Sequence, residues 1–145
     1  MPTRVFFGRG VASLAGTHAA GFAVRRVMLV TDPGVQAAGL TEPVRDHLVA
    51  AGLDVLTFDQ VEPNPRDLDC LAGADLAADF RAGAFVAVGG GSAIDTAKCI
   101  ALLQANGGHP RDWEDFGALR HDPAPVLAIP TTAGTGSEVS PSAVI

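Results

Sequence analysis

Apolar residues along the chain fall in short uninterrupted runs, and between the runs they recur every three or four positions. The strongest runs are Arg26 to Thr31 (RVMLVT), Asp54 to Phe58 (DVLTF), Ala84 to Val88 (AFVAV) and Pro125 to Ile129 (PVLAI), with a weaker one at Arg4 to Phe7. Short apolar runs with little polar alternation are how strands read when both faces of a sheet are covered. Between them, Leu40 to Ala51 carries Leu40, Val44, Leu48 and Ala51 on one helical stripe. Leu68 to Phe80 repeats this with Leu68, Leu71, Leu76 and Phe80, and Ser92 to Leu103 with Ile94, Ala97 and Ala101. Asn64 and Pro65 suit the N-cap and first turn of the second of these helices. Strand and helix alternating at this spacing predict an α/β domain with a parallel sheet and flanking helices.

The pattern lapses from Asn106 to Pro125, NGGHPRDWEDFGALRHDPAP, a polar, Gly/Pro-rich excursion expected to run over the surface. Trp113 and Phe116 lie within it, either anchoring it to the body or lining a mouth. The last residues, SAVI, are still in an apolar run, so the natural chain is expected to continue past Ile145.

Composition narrows the classes. The 145 residues fit one domain, and no apolar run approaches the roughly 20 residues of a membrane span. A net charge of -6 and a pI near 4.9 give no basic footprint for a phosphate backbone, which argues against nucleic acid as a partner. Cys70 and Cys99 have no CxxC spacing and sit in helical stretches among apolar neighbours, as small buried hydrophobes do. The first twenty residues hold no apolar signal-peptide core, so a cytoplasmic location is expected.

Candidate chemistry follows three of the predicted strands. After Ala84 to Val88 comes GGGSAIDTAK, three glycines opening a helix. A helix start leaves backbone N–H groups unpartnered where the macrodipole favours an anion, so a phosphate fits there. Gly89, Gly90 and Gly91 allow left-handed dihedrals and close approach of a pyrophosphate, with Ser92 capping the helix and Asp95 reaching back in a box-like arrangement. The plainer alternative is a tight strand-to-helix turn with an ordinary cap. Neither GxGxxG nor GxxxxGK[ST] occurs. After Pro125 to Ile129 comes PTTAGTGSE, whose hydroxyls and glycines can meet a ribose or phosphate at a strand's carboxyl end, or form a polar loop. Asp32, ending RVMLVTD, can hold a ribose and disfavour a 2′-phosphate, or can simply start a Pro-Gly turn.

Taken in order and spacing, VTDPG, VEPNP, VGGGSAIDTAK and IPTTAGTGSEVS resemble the iron-containing (group III) alcohol dehydrogenase family. The resemblance runs over essentially the whole chain and corresponds to the amino-terminal, nucleotide-binding portion of a family member, somewhat under half its length. It implies a Rossmann-like fold of the dehydroquinate synthase-like superfamily, with residues 1–145 as a dinucleotide-binding domain of a longer two-domain enzyme. It implies NAD as cofactor, with NADP possible, and hydride transfer between nicotinamide and an alcohol/aldehyde or ketone pair. On matching positions it implies that Asp32 holds the adenosine ribose and Asn64 sits near the adenine end. Gly90, Gly91, Ser92 and Asp95 would surround the pyrophosphate, and Thr131, Thr132 and Ser140 would reach toward the adenine and nicotinamide sides.

In the family a divalent metal, iron or zinc, is held by one Asp and three His of a following helical domain that this chain lacks. His18, His47, His109 and His121 do not align with those ligands and are assigned to surface or core packing. The 145-residue chain alone is therefore expected to be inactive, and the whole enzyme to be a homo-oligomer acting on a small alcohol or carbonyl substrate. Glycerol dehydrogenase is a related reading, set lower because TTAGTGSE is the alcohol dehydrogenase form of the loop. The alternative of another class is a free-standing, non-catalytic nucleotide-binding module.

Overall fold

A computed structural model describes residues 3–114 and 119–145. Its strands are β1 (Arg26–Thr31), β2 (Asp54–Phe58), β3 (Ala84–Gly89) and β4 (Val126–Pro130). All neighbouring pairs are parallel, in the order β2-β1-β3-β4. The helices are α1 (Ala15–Ala20), α2 (Pro33–Ala37), α3 (Thr41–Ala50), α4 (Asp67–Phe80) and α5 (Gly91–Asn106), with 3-10 turns at Val11–Leu14 and Pro110–Trp113. The α/β parallel-sheet expectation therefore holds.

Side chains of a strand point alternately to its two faces, and here each face has its own helical layer. Val27, Leu29, Val86 and Val88 pack under α1 and α3 with Ala19, Val44 and Leu48. Met28, Val30, Phe85 and Ala87 pack against α4 and α5 with Ala77, Ile94 and Ile100. This double cover is why the central strands read as unbroken apolar runs. A Cβ on Gly73 would lie 2.3 Å from Ile100 Cδ1, so α4 and α5 meet closely through the missing side chain. Cys70 and Cys99 are free, buried thiols in this layer, as expected. A hydrogen bond with Cys99, and then burial, push the Cys70 thiol up.

After β2 the chain passes over β1 to lay down β3 on its other side. Between β1 and β3 the winding therefore reverses, and the carboxyl ends of these two strands flank a crevice.

Several local expectations need correction. Arg4 to Phe7 forms no strand, and Phe7 is fully exposed. A strand requires a partner's ladder, and β-prone residues alone do not supply one. The N-cap of α4 is Arg66, not Asn64, because the Asp69 carboxylate accepts from the Arg66 backbone N–H at 3.2 Å and fixes the start there. In the excursion, the Trp113 indole N–H donates to the Gly107 carbonyl at 2.8 Å and the ring packs on the α4–α5 core. Trp113 therefore anchors the excursion, and it also lines an open cleft beside α5; Phe116 lies outside the described residues.

Candidate functional site

Because all strands are parallel, the segments following β1, β3 and β4 emerge at one edge of the sheet. The first is short. Asp32 caps α2, its Oδ1 accepting from the Val35 N–H at 2.9 Å with Pro33 in the first turn. The turn-starting reading of Asp32 holds, and capping occupies Oδ1 alone. Oδ2 has no hydrogen bond among the described residues and would lie 3.3 Å from a Cβ placed on Gly89.

The second segment is the glycine turn, and its glycines serve different ends. Gly89 has a φ of 155°, and a Cβ there would sit 2.7 Å from the Ala93 Cβ. Gly90, the N-cap of α5, has φ −80°, and Gly91 is the first helical residue. The expectation of left-handed dihedrals at all three positions is thus corrected: at Gly90 and Gly91 the requirement is space. A Cβ on Gly90 would stand 3.1 Å from Thr132 Oγ1, and one on Gly91 3.2 Å from Ser137 Oγ and 3.3 Å from Thr135 Cβ. The glycine turn and the third segment, Thr131–Ser140, therefore approach each other so closely that side chains on the turn would crowd the loop. The Thr131 N–H donates to the Gly89 carbonyl at 2.9 Å, extending the β3–β4 pairing into the turn.

The expected cap of α5 is absent. Gly90 offers no side chain, and no side-chain bond caps the helix. Ser92 is already helical and donates instead to the Pro63 carbonyl at 2.9 Å, which draws the exposed Asn64 loop toward the start of α5. Asp95 does not reach back either. Its Oδ1 lies 3.5 Å from Lys98 Nζ, and its Oδ2 accepts from the Val144 N–H at 3.1 Å. A sixteen-residue helix thus begins with first-turn N–H groups that no side chain among the described residues satisfies, at the crevice edge.

Of the hydroxyls named from sequence, Thr131 and Thr132 are exposed at the end of β4. The Ser140 hydroxyl is turned back and accepts from the Ser142 N–H at 3.0 Å. The residue that sequence reasoning left without a role is Lys98. Its ammonium donates to the carbonyls of Ser137, Ser140 and Ser142, the latter two at 2.8 Å. The only local signal was an acidic residue three positions earlier on the same helix face.

No group of three or more His, Cys, Asp or Glu among the described residues is placed to hold a metal ion. His18 stacks on Phe6 with ring centroids 4.1 Å apart, and His109 Nε2 pairs with Asp67 at 3.3 Å, while His47 and His121 are exposed. An open cleft of about 670 Å³ lies elsewhere along α5, lined by Lys98, Leu102, Arg111, Trp113, Pro141 and Ile145 among others. It does not include the glycine turn.

The chain is similar to known enzymes over nearly its whole length. It is 39% identical over 145 residues to the NAD-dependent methanol dehydrogenase of Bacillus methanolicus, covering all of this chain and 38% of that enzyme. It is 40% identical to the choline dehydrogenase of Bacillus subtilis (strain 168), covering all of this chain and 37% of that enzyme. Among solved structures, an archaeal halo-thermophilic alcohol dehydrogenase from a Red Sea brine pool superposes with a TM-score of 0.91 at 28% identity, over 99% of this chain and 38% of the other. The sulfoacetaldehyde reductase of Bifidobacterium kashiwanohense, solved in complex with NAD+, gives a TM-score of 0.85 at 30% identity, over 96% of this chain and 37% of the other. The chain therefore spans less than two fifths of the length of each of these relatives. The family model described as iron-containing alcohol dehydrogenase matches residues 2–145, and the chain belongs to that family.

Proposed function

We propose that residues 1–145 are the dinucleotide-binding, amino-terminal part of an NAD-dependent alcohol dehydrogenase, with NADP as a weaker alternative cofactor. The observation that carries this reading is the uncapped start of α5, lined by glycines and set where the sheet reverses. The pyrophosphate would lie against the N–H groups of Gly91 and Ser92, with Gly90 leaving room for it. Asp32 Oδ2 is the free acceptor for ribose hydroxyls, and its charge repels a 2′-phosphate. Thr131 and Thr132 would offer hydroxyls on the far side of the pyrophosphate, Ser140 through the loop it closes, and Asn64 would sit toward the adenine.

When bound, the nicotinamide accepts or donates the hydride exchanged with an alcohol or carbonyl compound. This chain's own residues hold, orient and partly enclose the dinucleotide. Among the described residues no group of three or more His, Cys, Asp or Glu is placed to hold a metal ion. The iron or zinc ion belongs, in this reading, to a second domain beyond residue 145, and with it the substrate oxygen's activation. The reading extends to a cytoplasmic homo-oligomer; among the described residues, no helix is long and apolar enough to cross a membrane.

Isothermal titration with NAD+, NADP+ and AMP tests the proposal. Saturable NAD+ binding that is tighter than NADP+ binding is expected, with no alcohol oxidation by the 145-residue chain. Absence of NAD+ binding at millimolar ligand overturns it. NAD+ binding by the natural full-length protein without any hydride transfer would favour the free-standing binding module instead.

A further inference from the structure

Two thiols that take no part in the proposed dinucleotide site lie in the seam between α4 and α5, one on each helix. Packed helices are held about 8–10 Å apart by the side chains at their contact. Here Gly73 removes the side chain at the contact, and Ile100 fills the place its Cβ would take. A turn later the seam is tied by the Gln104 amide, which donates to the Ala77 carbonyl at 3.2 Å and to the Ala82 carbonyl at 2.9 Å. Cys70 stands one turn before Gly73 and Cys99 one residue before Ile100, and their thiols share a hydrogen bond across the seam. A disulfide needs α carbons within about 7 Å of each other, a reach that helices gain where they meet without an intervening side chain. The two sulfurs differ in access: Cys70 is wholly buried, whereas Cys99 is 5% exposed and lines the open cleft along α5. They differ in acidity in the same sense, since the shared hydrogen bond lowers the Cys99 thiol from its ordinary value and raises the Cys70 thiol. A small oxidant in the cleft therefore meets first the sulfur that ionises more readily.

We propose that Cys70 and Cys99 are a peroxide-reactive pair, with Cys99 the attacking thiol on the cleft and Cys70 the resolving thiol behind it, and that their disulfide staples α4 to α5. In the first step the Cys99 sulfur, as thiolate, attacks one oxygen of hydrogen peroxide. The O–O bond breaks, Cys99 becomes a sulfenic acid, and the departing hydroxide takes up the proton the thiol released and leaves as water. In the second step the Cys70 sulfur attacks the Cys99 sulfur, the S–O bond breaks, and the hydroxyl leaves with the Cys70 proton as a second water. Two thiols thereby lose two electrons, and one peroxide is reduced to two waters. The chain enclosed by the new bond contains β3 and the glycine turn. This chemistry is independent of the dinucleotide reading, because a chain that binds no NAD+ can still form the bond.

The experiment treats the natural full-length protein with a modest molar excess of hydrogen peroxide, unfolds it in urea with N-ethylmaleimide to block remaining thiols, and digests it with trypsin without reduction. Cleavage after Arg66, Arg81, Lys98 and Arg111 places the two cysteines in separate peptides, 67–81 and 99–111. A species that joins these peptides, two hydrogens lighter than their sum and formed within one chain, is expected. Oxidised wild type should melt about 3 °C or more above the reduced form, because the crosslink constrains the unfolded chain, and Cys70→Ala should show no such rise. In Cys70→Ala, dimedone should trap Cys99 as its sulfenic acid. In Cys99→Ala, peptide 67–81 should carry at least about tenfold less dimedone adduct. Maleimide on both cysteines with no joined peptide, a bond between two chains, or a melting temperature that oxidation leaves unchanged or lowers overturns the proposal. Equal dimedone trapping at the two cysteines overturns the division into attacking and resolving thiols. The wild-type peptide map needs neither variant, so it decides the question even where a variant fails to fold.

Discussion

The starts of α4 and α5 make an instructive pair. Both helices follow strands of one sheet, lie on the same face and pack against each other. At α4 the chain satisfies its own first turn: Asp69 accepts from the Arg66 N–H, and Asp67 adds a second carboxylate near the positive end of the helix. At α5 it does none of this. Gly90 stands at the N-cap, the first turn carries no acid, and Ser92 is turned away to Pro63. A helix start that is closed by its own side chains leaves nothing for a ligand to satisfy, whereas the one left open beside glycines at a reversal of the sheet is where the proposed pyrophosphate would lie.

The sharpest way to break the contrast is Gly90→Val. Its Cβ would stand 3.1 Å from Thr132 Oγ1, and its γ-methyls would crowd the helix start and the facing loop. NAD+ affinity should fall about a hundredfold or more, near 3 kcal/mol, with circular dichroism retained; wild-type affinity would refute the pyrophosphate position. Asp32→Gly comes next. It removes the free Oδ2 and should shrink the preference for NAD+ over NADP+ by about tenfold, while loss of the α2 cap to glycine costs only a few tenths of a kcal/mol. Competition titrations with the two dinucleotides measure the ratio.

At the closed start the effect should fall on stability instead. Asp69→Ala is expected to cost about 1 kcal/mol in urea unfolding, with NAD+ affinity unaltered; a matching loss of affinity would mean that the two helix starts are not separate in function. Smallest is Ser92→Ala, which deletes the bond to the Pro63 carbonyl and with it about 0.5–1 kcal/mol. Its affinity change should stay within about fivefold, since the N–H groups of the helix start remain.

What could be read from the sequence divides along physical lines. β1, β2 and β3 were legible because burial on both faces forces continuous apolar runs, and β4 was displaced by only one residue. Arg4 to Phe7 misled because pairing is a property of two segments. α2, with five residues, is too short to show a helical period, and only the Asp-Pro-Gly chemistry hinted at it. The places of Asp32 and Gly90 directly after strands, and of Thr132 two residues after one, were legible from the same apolar runs. The cap at Ser92 was misread because SAID imitates a capping box, while the helix already starts from an N-cap at Gly90, directly after the strand's terminal Gly89. Lys98 was invisible for another reason: its carbonyl partners lie 39 to 44 residues away, and any residue type can present a carbonyl.

Trp113 gives the molecule a reporter. It is the one tryptophan of the chain, and there is no tyrosine, so fluorescence excited at the red edge of the indole band comes from a single ring. That ring is pinned to Gly107 just past the carboxyl end of α5, and α5 has sixteen residues, about 24 Å of helix. Emission will therefore follow loosening of the excursion directly. A reduced nicotinamide held at the other end of the rod would be sensed only as an energy-transfer acceptor, never by contact.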